Sequence, residues 1–310
     1  MRIALLGQQK FGKAVLEGFV ERGHTVAGVF CSADKSGTPT DPIKVAAESG
    51  GIPVYQLPSL KTAHAREILR GLEADLGVMA YVLQFAPEDF VAIPAHGTIQ
   101  YHPSLLPRYR GPSAVNWPVI RGDASTGLTI FRPTDGLDEG PIILQKATPI
   151  GPDETMGGVY FQRLFPMGVA ALLEAAELVA GGRASATPQD DSHASYEGWC
   201  RAPEARINWH NHVDIVFNLI RGCDPAPGAW TLLNGKKLQL FDVRKHVLRR
   251  FSQTAGDIGA IASVGDRSLC ISAQGGQIEV FRLRYAEGEK QPPPQFCAEM
   301  GVGVGTLLGA

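Results

Sequence analysis

The N-terminal part of the chain reads RIALLGQQKFGKAVLEGFVERGHTVAGVFC over residues 2–31. The apolar run Arg2–Leu6 is typical of a buried strand, helical spacing follows over Gly12–Arg22, and a second β-rich run covers Thr25–Cys31. The same alternation continues, with further strands predicted at Pro53–Gln56, Leu76–Val82, Gly97–His102, Leu128–Arg132 and Pro141–Lys146. This order predicts an α/β fold with a doubly wound, Rossmann-like parallel sheet covered by helices.

The first strand-to-helix turn contains Gly7 and Gly12, a spacing that invites a dinucleotide-binding interpretation. However, the middle glycine of G-x-G-x-x-G is missing, and the second strand ends at Cys31-Ser32 without an acidic residue for a ribose hydroxyl. We therefore expect the two glycines to permit a tight turn, and we predict no NAD site.

The pattern changes in the second half of the chain. A long amphipathic helix is predicted from about Thr155 to Ala180, and the polar residues 183–204 are typical of a linker. A short helix near His212–Arg221 and several spaced β-rich runs then predict a small, OB-like β-barrel. The predicted domains are residues 1–182 and 205–310, joined by the linker 183–204.

Composition excludes several classes of protein. With 310 residues, 44% of them hydrophobic, the chain can bury a large core, and a net charge of −2 provides no general basic field for nucleic acid. The sequence contains no run of about 18 apolar residues, so no membrane span is predicted. The five scattered cysteines predict reduced thiols rather than disulfides or a zinc site, and a reducing cytoplasm is the expected location.

Two polar motifs follow predicted strands. The first reads HPSLLPRYRG over residues 102–111, and the second reads TDGLDEGP over residues 134–141. Ligands bind at the carboxyl ends of strands in open α/β sheets, so His102 is placed for function. A carboxylate from the second motif can orient a histidine ring. The sequence thus predicts a histidine–carboxylate pair for acid–base chemistry on an acyl group.

Together these motifs resemble the signature of enzymes that transfer a formyl group from 10-formyltetrahydrofolate: H-x-S-L-L-P-x-x-R-G, followed by L-D-x-G at residues 137–140. The resemblance extends along nearly the whole chain and is greatest to the N-terminal hydrolase domain of 10-formyltetrahydrofolate dehydrogenases. The second half also resembles the C-terminal barrel of methionyl-tRNA formyltransferases. The resemblance to the hydrolase domain rests on the stretches GTIQYHP at 97–103, SAVNW at 113–117, LFP at 164–166, ARINW at 205–209 and PGAW at 227–230.

The resemblance implies catalytic roles for three residues. His102 matches the histidine that faces the formyl oxygen, and Asp138 matches the carboxylate that orients it and helps to relay the acceptor's proton. Transferases usually have asparagine two residues before this histidine, where its amide completes the oxyanion site. This chain has Gln100 there, which keeps the amide but adds a methylene. Gln100 either donates to the oxyanion or only fills space.

The resemblance also implies that 10-formyltetrahydrofolate is the formyl donor, that no metal takes part, and that a loop in residues 1–182 lines the folate site. An apolar loop suits a flat pteridine. The loop residues are Ser104, Leu105, Leu106 and Pro107. Ser104, Arg108 and Arg110 have an alternative structural role, in which they satisfy loop carbonyls.

The expected formyl acceptor is a small amine or water. Transfer RNA is the second candidate, because a tRNA enzyme needs phosphate contacts and the segment 31–42 has one lysine and two aspartates. Residues 201–310 contain 13 basic against 10 acidic residues, although a small basic cluster stands near His246. Its members are Arg244, Lys245, Arg249 and Arg250.

A non-catalytic folate-binding protein is the alternative from another class, in which the replacement at Gln100 has removed activity. The presence of both His102 and Asp138 weakens it. The sequence leaves the oligomeric state open.

Overall fold

The computed structural model describes residues 1–248 and 257–309. Seven strands form the first sheet: β1 (Arg2–Gly7), β2 (Thr25–Phe30), β3 (Val54–Tyr55), β4 (Leu76–Ala80), β5 (Thr98–His102), β6 (Ser125–Phe131) and β7 (Ile142–Pro149). Their order is β3-β2-β1-β4-β5-β6-β7. Strands β1 to β5 pair in parallel, which confirms the predicted doubly wound sheet.

Strand β6 differs from the prediction, because it runs antiparallel to β5. The chain leaves β5 at one edge of the sheet and enters β6 at the same edge. No crossover back to the starting edge is made, and a parallel pair would need one. The sheet is therefore mixed, with parallel pairing dominant.

The helices are α1 (Gln9–Glu21), α2 (Pro42–Ser49), α3 (Ala63–Gly71), α4 (Glu88–Val91), α5 (Asn116–Arg121), α6 (Met156–Val159), α7 (Phe165–Ala180), α8 (Val213–Gly222) and α9 (Pro293–Met300). The predicted helix from Thr155 to Ala180 is divided by a π-helical turn at Tyr160–Leu164. Pro166 follows this turn and has no backbone N–H to donate to the preceding turn. A proline is therefore best accommodated in the first turn of a helix, and α7 begins at Phe165.

Both faces of the first sheet are buried. In β1, Ile3 and Leu5 join one apolar cluster with Phe11 and Phe19 of α1, whereas Leu6 joins a separate cluster on the other face. Such two-sided burial is what a parallel sheet with helices on both sides requires. Helix α1 also comes very close to β1, because a Cβ at Gly7 would lie 3.3 Å from the Cα of Gly12 in α1, and 2.8 Å from the Ala80 carbonyl oxygen of the neighbouring strand β4. Close packing therefore accounts for the glycine at this turn.

The second sheet has five antiparallel strands: β8 (Trp230–Leu233), β9 (Lys236–Val247), β10 (Ile261–Val264), β11 (Leu269–Ala273) and β12 (Gly276–Tyr285). Their order is β10-β11-β12-β9-β8. It confirms the predicted small β-rich domain as a curled half-barrel, whose core includes Phe217 and Ile220 of α8. Helix α9 was not expected from the sequence, although Pro293 at its first turn is typical of a helix start.

The chain folds into two compact units. The first comprises Met1–Gly111, Gly127–Thr148 and Arg163–Tyr196, and the second comprises Pro112–Thr126, Pro149–Gln162 and Glu197–Ala310. Each unit combines several separate segments of the chain, so the units do not test the predicted boundaries at residues 182 and 204. These boundaries stay a prediction.

Other features of the described residues bear on the exclusions made from composition. None of their helices combines the length and apolar character needed to cross a bilayer. Within the same residues, no three side chains of His, Cys, Asp and Glu are grouped as metal ligands would be. All five cysteines carry free thiols. Arg249 and Arg250 of the basic cluster lie outside the described residues.

Two neighbouring positions of α1 test the packing of the first unit. Phe19 is 0% exposed and Val20 is 49% exposed. We expect Phe19→Ala to lower the free energy of unfolding by about 3–5 kcal/mol, because it removes a buried ring and leaves a cavity. Val20→Ala is the matched control, with an expected change within about 0.5 kcal/mol. Urea denaturation measures both, and equal effects would contradict the assigned packing of α1.

Candidate active site

His102 is the last residue of β5, at the carboxyl edge of the parallel strands. Its register is fixed on one side by pairing with Thr129 of β6. Side chains two residues apart on a strand point to the same face, so Gln100 and His102 share a face of β5. His102 is only 5% exposed. A rigid, paired strand therefore delivers a histidine to the edge of the sheet where ligands bind in this architecture.

Both ring nitrogens of His102 face protein groups. Nε2 lies 2.8 Å from the carbonyl oxygen of Tyr109, and Nδ1 lies 3.5 Å from Oδ2 of Asp138. A carbonyl oxygen can only accept, so Nε2 carries the hydrogen and donates it to Tyr109. This contact assigns the tautomer and leaves Nδ1 as the nitrogen directed at the carboxylate. At 3.5 Å, Nδ1 and Oδ2 are far enough apart for a third polar group to bond to both.

Asp138 is held by its own backbone geometry and by the loop that carries Tyr109. Its carboxylate is buried, and Oδ2 accepts a 2.9 Å hydrogen bond from the backbone N–H of Gly111. Its φ is 56°, in the left-handed region that costs a non-glycine residue about 1–3 kcal/mol unless its surroundings hold it there. The structure thus brings together the two predicted residues, His102 at the end of β5 and Asp138 in the loop that follows β6.

Gln100 lies on the same face of β5 as His102 and has a free amide. The side chain is half-buried, and no hydrogen-bond partner for it occurs among residues 1–248 and 257–309. Its amide can therefore donate to a ligand bound on the His102 face of β5 without breaking an internal contact.

The loop predicted to line a folate site is tied to the sheet through Thr129. The Thr129 hydroxyl donates to the Ser104 carbonyl at 2.7 Å and accepts from the Leu106 N–H at 3.1 Å. The hydroxyl of Ser104 is buried and donates to the Arg108 carbonyl at 2.7 Å, the alternative structural role considered from the sequence. Leu106 is also buried, whereas Leu105 and Pro107 are half-buried. These last two therefore have surface left for a ligand.

Arg110 has a buried guanidinium that is bonded to protein side chains. It donates to the side chains of Gln189 (2.8 Å), Asp191 (2.7 Å) and Tyr196 (2.6 Å). Burial lowers the pKa of Arg110, but the hydrogen bonds to Asp191 and Tyr196 outweigh it, so the net shift is upward. The pKa of Tyr196 is also raised, because its hydroxyl donates to Glu139. Arg110 is therefore a permanent cation inside the first unit.

The three partners of Arg110 lie on residues 187–196, which we call the strap. Its backbone pairs with the His102 loop: Arg110 N–H donates to the Ser195 carbonyl at 2.9 Å, and Ser195 N–H donates to the Pro107 carbonyl at 3.2 Å. The sequence interpretation placed these residues in a linker and so missed their contribution. It also missed the Tyr109 carbonyl and the Gly111 amide, because backbone groups leave no signal in residue type.

An open surface depression of about 750 Å³ borders the Asp138 loop. Lys61, Phe85 and Asp135 contribute to its lining, and the Glu88 N–H donates to Asp135 Oδ1 at 2.8 Å. The ring of Phe85 is 47% exposed, and Leu137 of the same loop is 56% exposed. Phe85 and Leu137 therefore expose apolar surface at or beside a depression whose other lining residues are mostly charged.

Comparisons with known proteins agree along the whole chain. A family model described as Formyl transferase matches residues 1–175, and another described as Formyl transferase, C-terminal domain, matches residues 201–301. Mitochondrial 10-formyltetrahydrofolate dehydrogenase of Homo sapiens is 41% identical over 246 residues, which cover 78% of this chain and 26% of that protein. The chain thus spans about a quarter of the length of that relative.

Two further comparisons cover nearly the entire chain. Methionyl-tRNA formyltransferase of Syntrophus aciditrophicus (strain SB) is 35% identical over 313 residues, covering 99% of this chain and 98% of that protein. The crystal structure of HypX from Aquifex aeolicus in complex with tetrahydrofolic acid matches with a TM-score of 0.70 at 20% identity. It covers 98% of this chain and 48% of that chain, and it shows a shared fold.

The glycine of the second motif provides a test of the Asp138 loop. A Cβ at Gly140 would lie 1.7 Å from the backbone carbonyl oxygen of Arg132, so the loop must move to accept one. We expect Gly140→Ala to destabilise the protein by about 1–3 kcal/mol in urea denaturation. Gly71→Ala is the matched control, since nothing lies within 4 Å of its Cβ position, and it should be neutral or slightly stabilising. Equal stability of Gly140→Ala and wild type would show that this close approach is not required.

Proposed function

The chain belongs to the formyl transferase family, and from this premise we propose that it takes the formyl group of 10-formyltetrahydrofolate and passes it to a small amine or to water. One observation carries the proposal. The imidazole of His102 and the carboxylate of Asp138 lie 3.5 Å apart at the carboxyl edge of the sheet, with the free Gln100 amide on the same strand face.

The proposed reaction begins when the acceptor's nitrogen or oxygen attacks the formyl carbon. The formyl oxygen then becomes negatively charged, and the Gln100 amide and a proton on His102 Nδ1 stabilise it. Asp138 Oδ2 lies 3.5 Å from the same Nδ1 and compensates the positive ring. The acceptor loses a proton, the bond from carbon to N10 breaks, and N10 gains a proton. The products are tetrahydrofolate and a formamide, or formate when water is the acceptor.

The depression beside the Asp138 loop is the proposed place for the flat part of the folate. Phe85 and Leu137 offer exposed apolar surface, and Lys61, whose ammonium lies 4.7 Å from the centre of the Phe85 ring, offers a positive charge for a carboxylate. Leu105 and Pro107 complete the predicted folate loop with their remaining surface. Ser104 and Leu106 are buried and support the loop from within.

Transfer RNA is the second candidate acceptor, and the match to a methionyl-tRNA formyltransferase over nearly both chains favours it. The described part of the basic cluster argues for a small acceptor instead. Lys245 is paired with Asp214 at 2.5 Å, and His246 lies 2.8 Å from Glu279. Arg244 lies over the Phe281 ring. These groups are already engaged, which reduces the charge they offer to phosphates.

The free thiols fit a reducing compartment such as the cytoplasm.

Loss of the imidazole should affect turnover far more than folate binding. His102→Ala is expected to lower kcat by roughly 10²–10³-fold, because its hydrogen bond strengthens as the oxyanion forms. Asp138→Asn should give a similar fall with the fold intact. Release of tetrahydrofolate from 10-formyltetrahydrofolate measures both, with and without small amines. The exposed His64 supplies the control, since His64→Ala should retain the wild-type rate.

The outcomes separate the alternatives. Equal losses of binding and turnover in His102→Ala would make His102 a binding residue. A wild-type protein that binds the folate but never releases tetrahydrofolate, with water, amines or charged tRNA supplied, would be a non-catalytic folate-binding protein. Formylation of charged tRNA alone would favour the second acceptor.

Gln100 gives a separate prediction. Gln100→Leu should lower formyl transfer by roughly 10²–10³-fold if the amide donates to the developing charge. Gln100→Asn keeps the amide and should preserve or raise the rate. The measurement is kcat for transfer to an amine at saturating donor. Transfer by Gln100→Leu at the wild-type rate would show that the amide is not an oxyanion donor.

A further inference from the structure

The side-chain amide of Gln189 connects the two loops that carry His102 and Asp138. Its nitrogen donates to the carbonyl oxygens of Asp138 (2.8 Å) and Gly140 (2.7 Å). Its oxygen accepts from Nε (3.2 Å) and Nη2 (2.8 Å) of Arg110. Two donated and two accepted bonds use the full capacity of the amide. Gln189 is thus bonded to the Asp138 loop on one side and to the buried cation of the His102 loop on the other.

Both ends of this connection adjoin strained backbone. Asp138 has a φ of 56°, and Tyr109, directly before Arg110, has a φ of 59°. These conformations cost about 1–3 kcal/mol each and persist only where contacts hold them. The Tyr109 carbonyl orients the ring of His102, while the backbone of Asp138 directs Oδ2 toward Nδ1. A shift at either residue changes the distance across the catalytic pair.

The strap is anchored independently of Gln189. The hydroxyl of Ser195 accepts from the Tyr109 N–H at 2.8 Å, and Thr187 exchanges backbone hydrogen bonds with Ile142 at 2.8 and 2.9 Å. Removing the Gln189 amide therefore leaves the strap attached at both ends. What is lost is the restraint on the carbonyls of Asp138 and Gly140.

We propose that Gln189 is a positioning residue for formyl transfer, which sets the carboxylate of Asp138 against His102 by clamping the Asp138 loop to Arg110. The inference rests on the proposed function. Gln189 need not touch donor or acceptor, and it acts through the orientation of Asp138.

Gln189→Glu tests the proposal with little change in shape. The carboxylate can still accept from Arg110, but it cannot donate to the two carbonyls and places an acceptor against them. We expect kcat to fall by about 10–100-fold with the KM for 10-formyltetrahydrofolate changed less than about threefold, because misplacing a catalytic group by about 1 Å has such an effect. Gln189→Asn, which keeps the amide, should recover part of the rate. Ser192→Ala is the control on the strap, since Ser192 is exposed and its hydroxyl and amide both donate to Asp190.

Two readouts distinguish positioning from general support. In the Asp138→Asn background, Gln189→Glu should cause no further loss of kcat, because a residue that acts through Asp138 has nothing left to orient. Additive losses would overturn the proposal. Amide hydrogen exchange at Gly111, whose N–H donates to Asp138, should accelerate on the order of tenfold in Gln189→Glu and stay unchanged in Ser192→Ala.

The exchange measurement needs no substrate. A wild-type protein without formyl transfer, hydrolysis or tRNA formylation would refute the proposed function. In that case an accelerated Gly111 amide would still support the clamp, and an unchanged one would refute it.

Discussion

The hydrogen bond from His102 Nε2 to the carbonyl of Tyr109 is the constraint on which the proposed chemistry depends. It is 2.8 Å long and buried, and it assigns Nε2 as the protonated nitrogen. The other nitrogen, Nδ1, therefore faces Asp138 and carries no proton in the neutral ring. Without this contact either nitrogen of the neutral ring could carry the proton. Acid–base work at one nitrogen requires that this choice be made before substrate binds.

Several hydrogen bonds hold the loop that follows His102, and they fix the position of the Tyr109 carbonyl. Strand β5 lies between β4 and β6 and pairs His102 with Thr129 of β6, and Ser104 braces the following loop by donating to the Arg108 carbonyl. Pairing with Ser195 of the strap fixes the Tyr109 and Arg110 amides. The Asp138 loop is then fastened to the same frame through the Gly111 amide. Catalytic groups on loops gain precision when a rigid scaffold holds them in this way.

Much of this architecture could be predicted from sequence, for identifiable reasons. Alternating β-rich and helical runs determine a doubly wound sheet, and such a sheet brings strand ends to one edge, so a histidine at residue 102 and a carboxylate at residue 138 were expected to meet. The antiparallel β6 and the π-helical turn at Tyr160–Leu164 were not predicted, because local patterns carry neither strand direction nor helical register. The groups supplied by Tyr109 and Gly111 are backbone atoms that every residue has. Gln189 lies in a polar segment with the composition of a linker, and only tertiary structure reveals what its amide bonds to.

The most direct measurement of this account is the protonation pattern of the His102 ring in the free protein. Long-range ¹H–¹⁵N correlation spectra distinguish the two nitrogens of an imidazole, and the signals can be assigned by their loss in His102→Gln. We expect the neutral ring to carry its proton on Nε2, which donates to the Tyr109 carbonyl. A neutral ring carrying its proton on Nδ1, with Nε2 bare, would contradict this expectation.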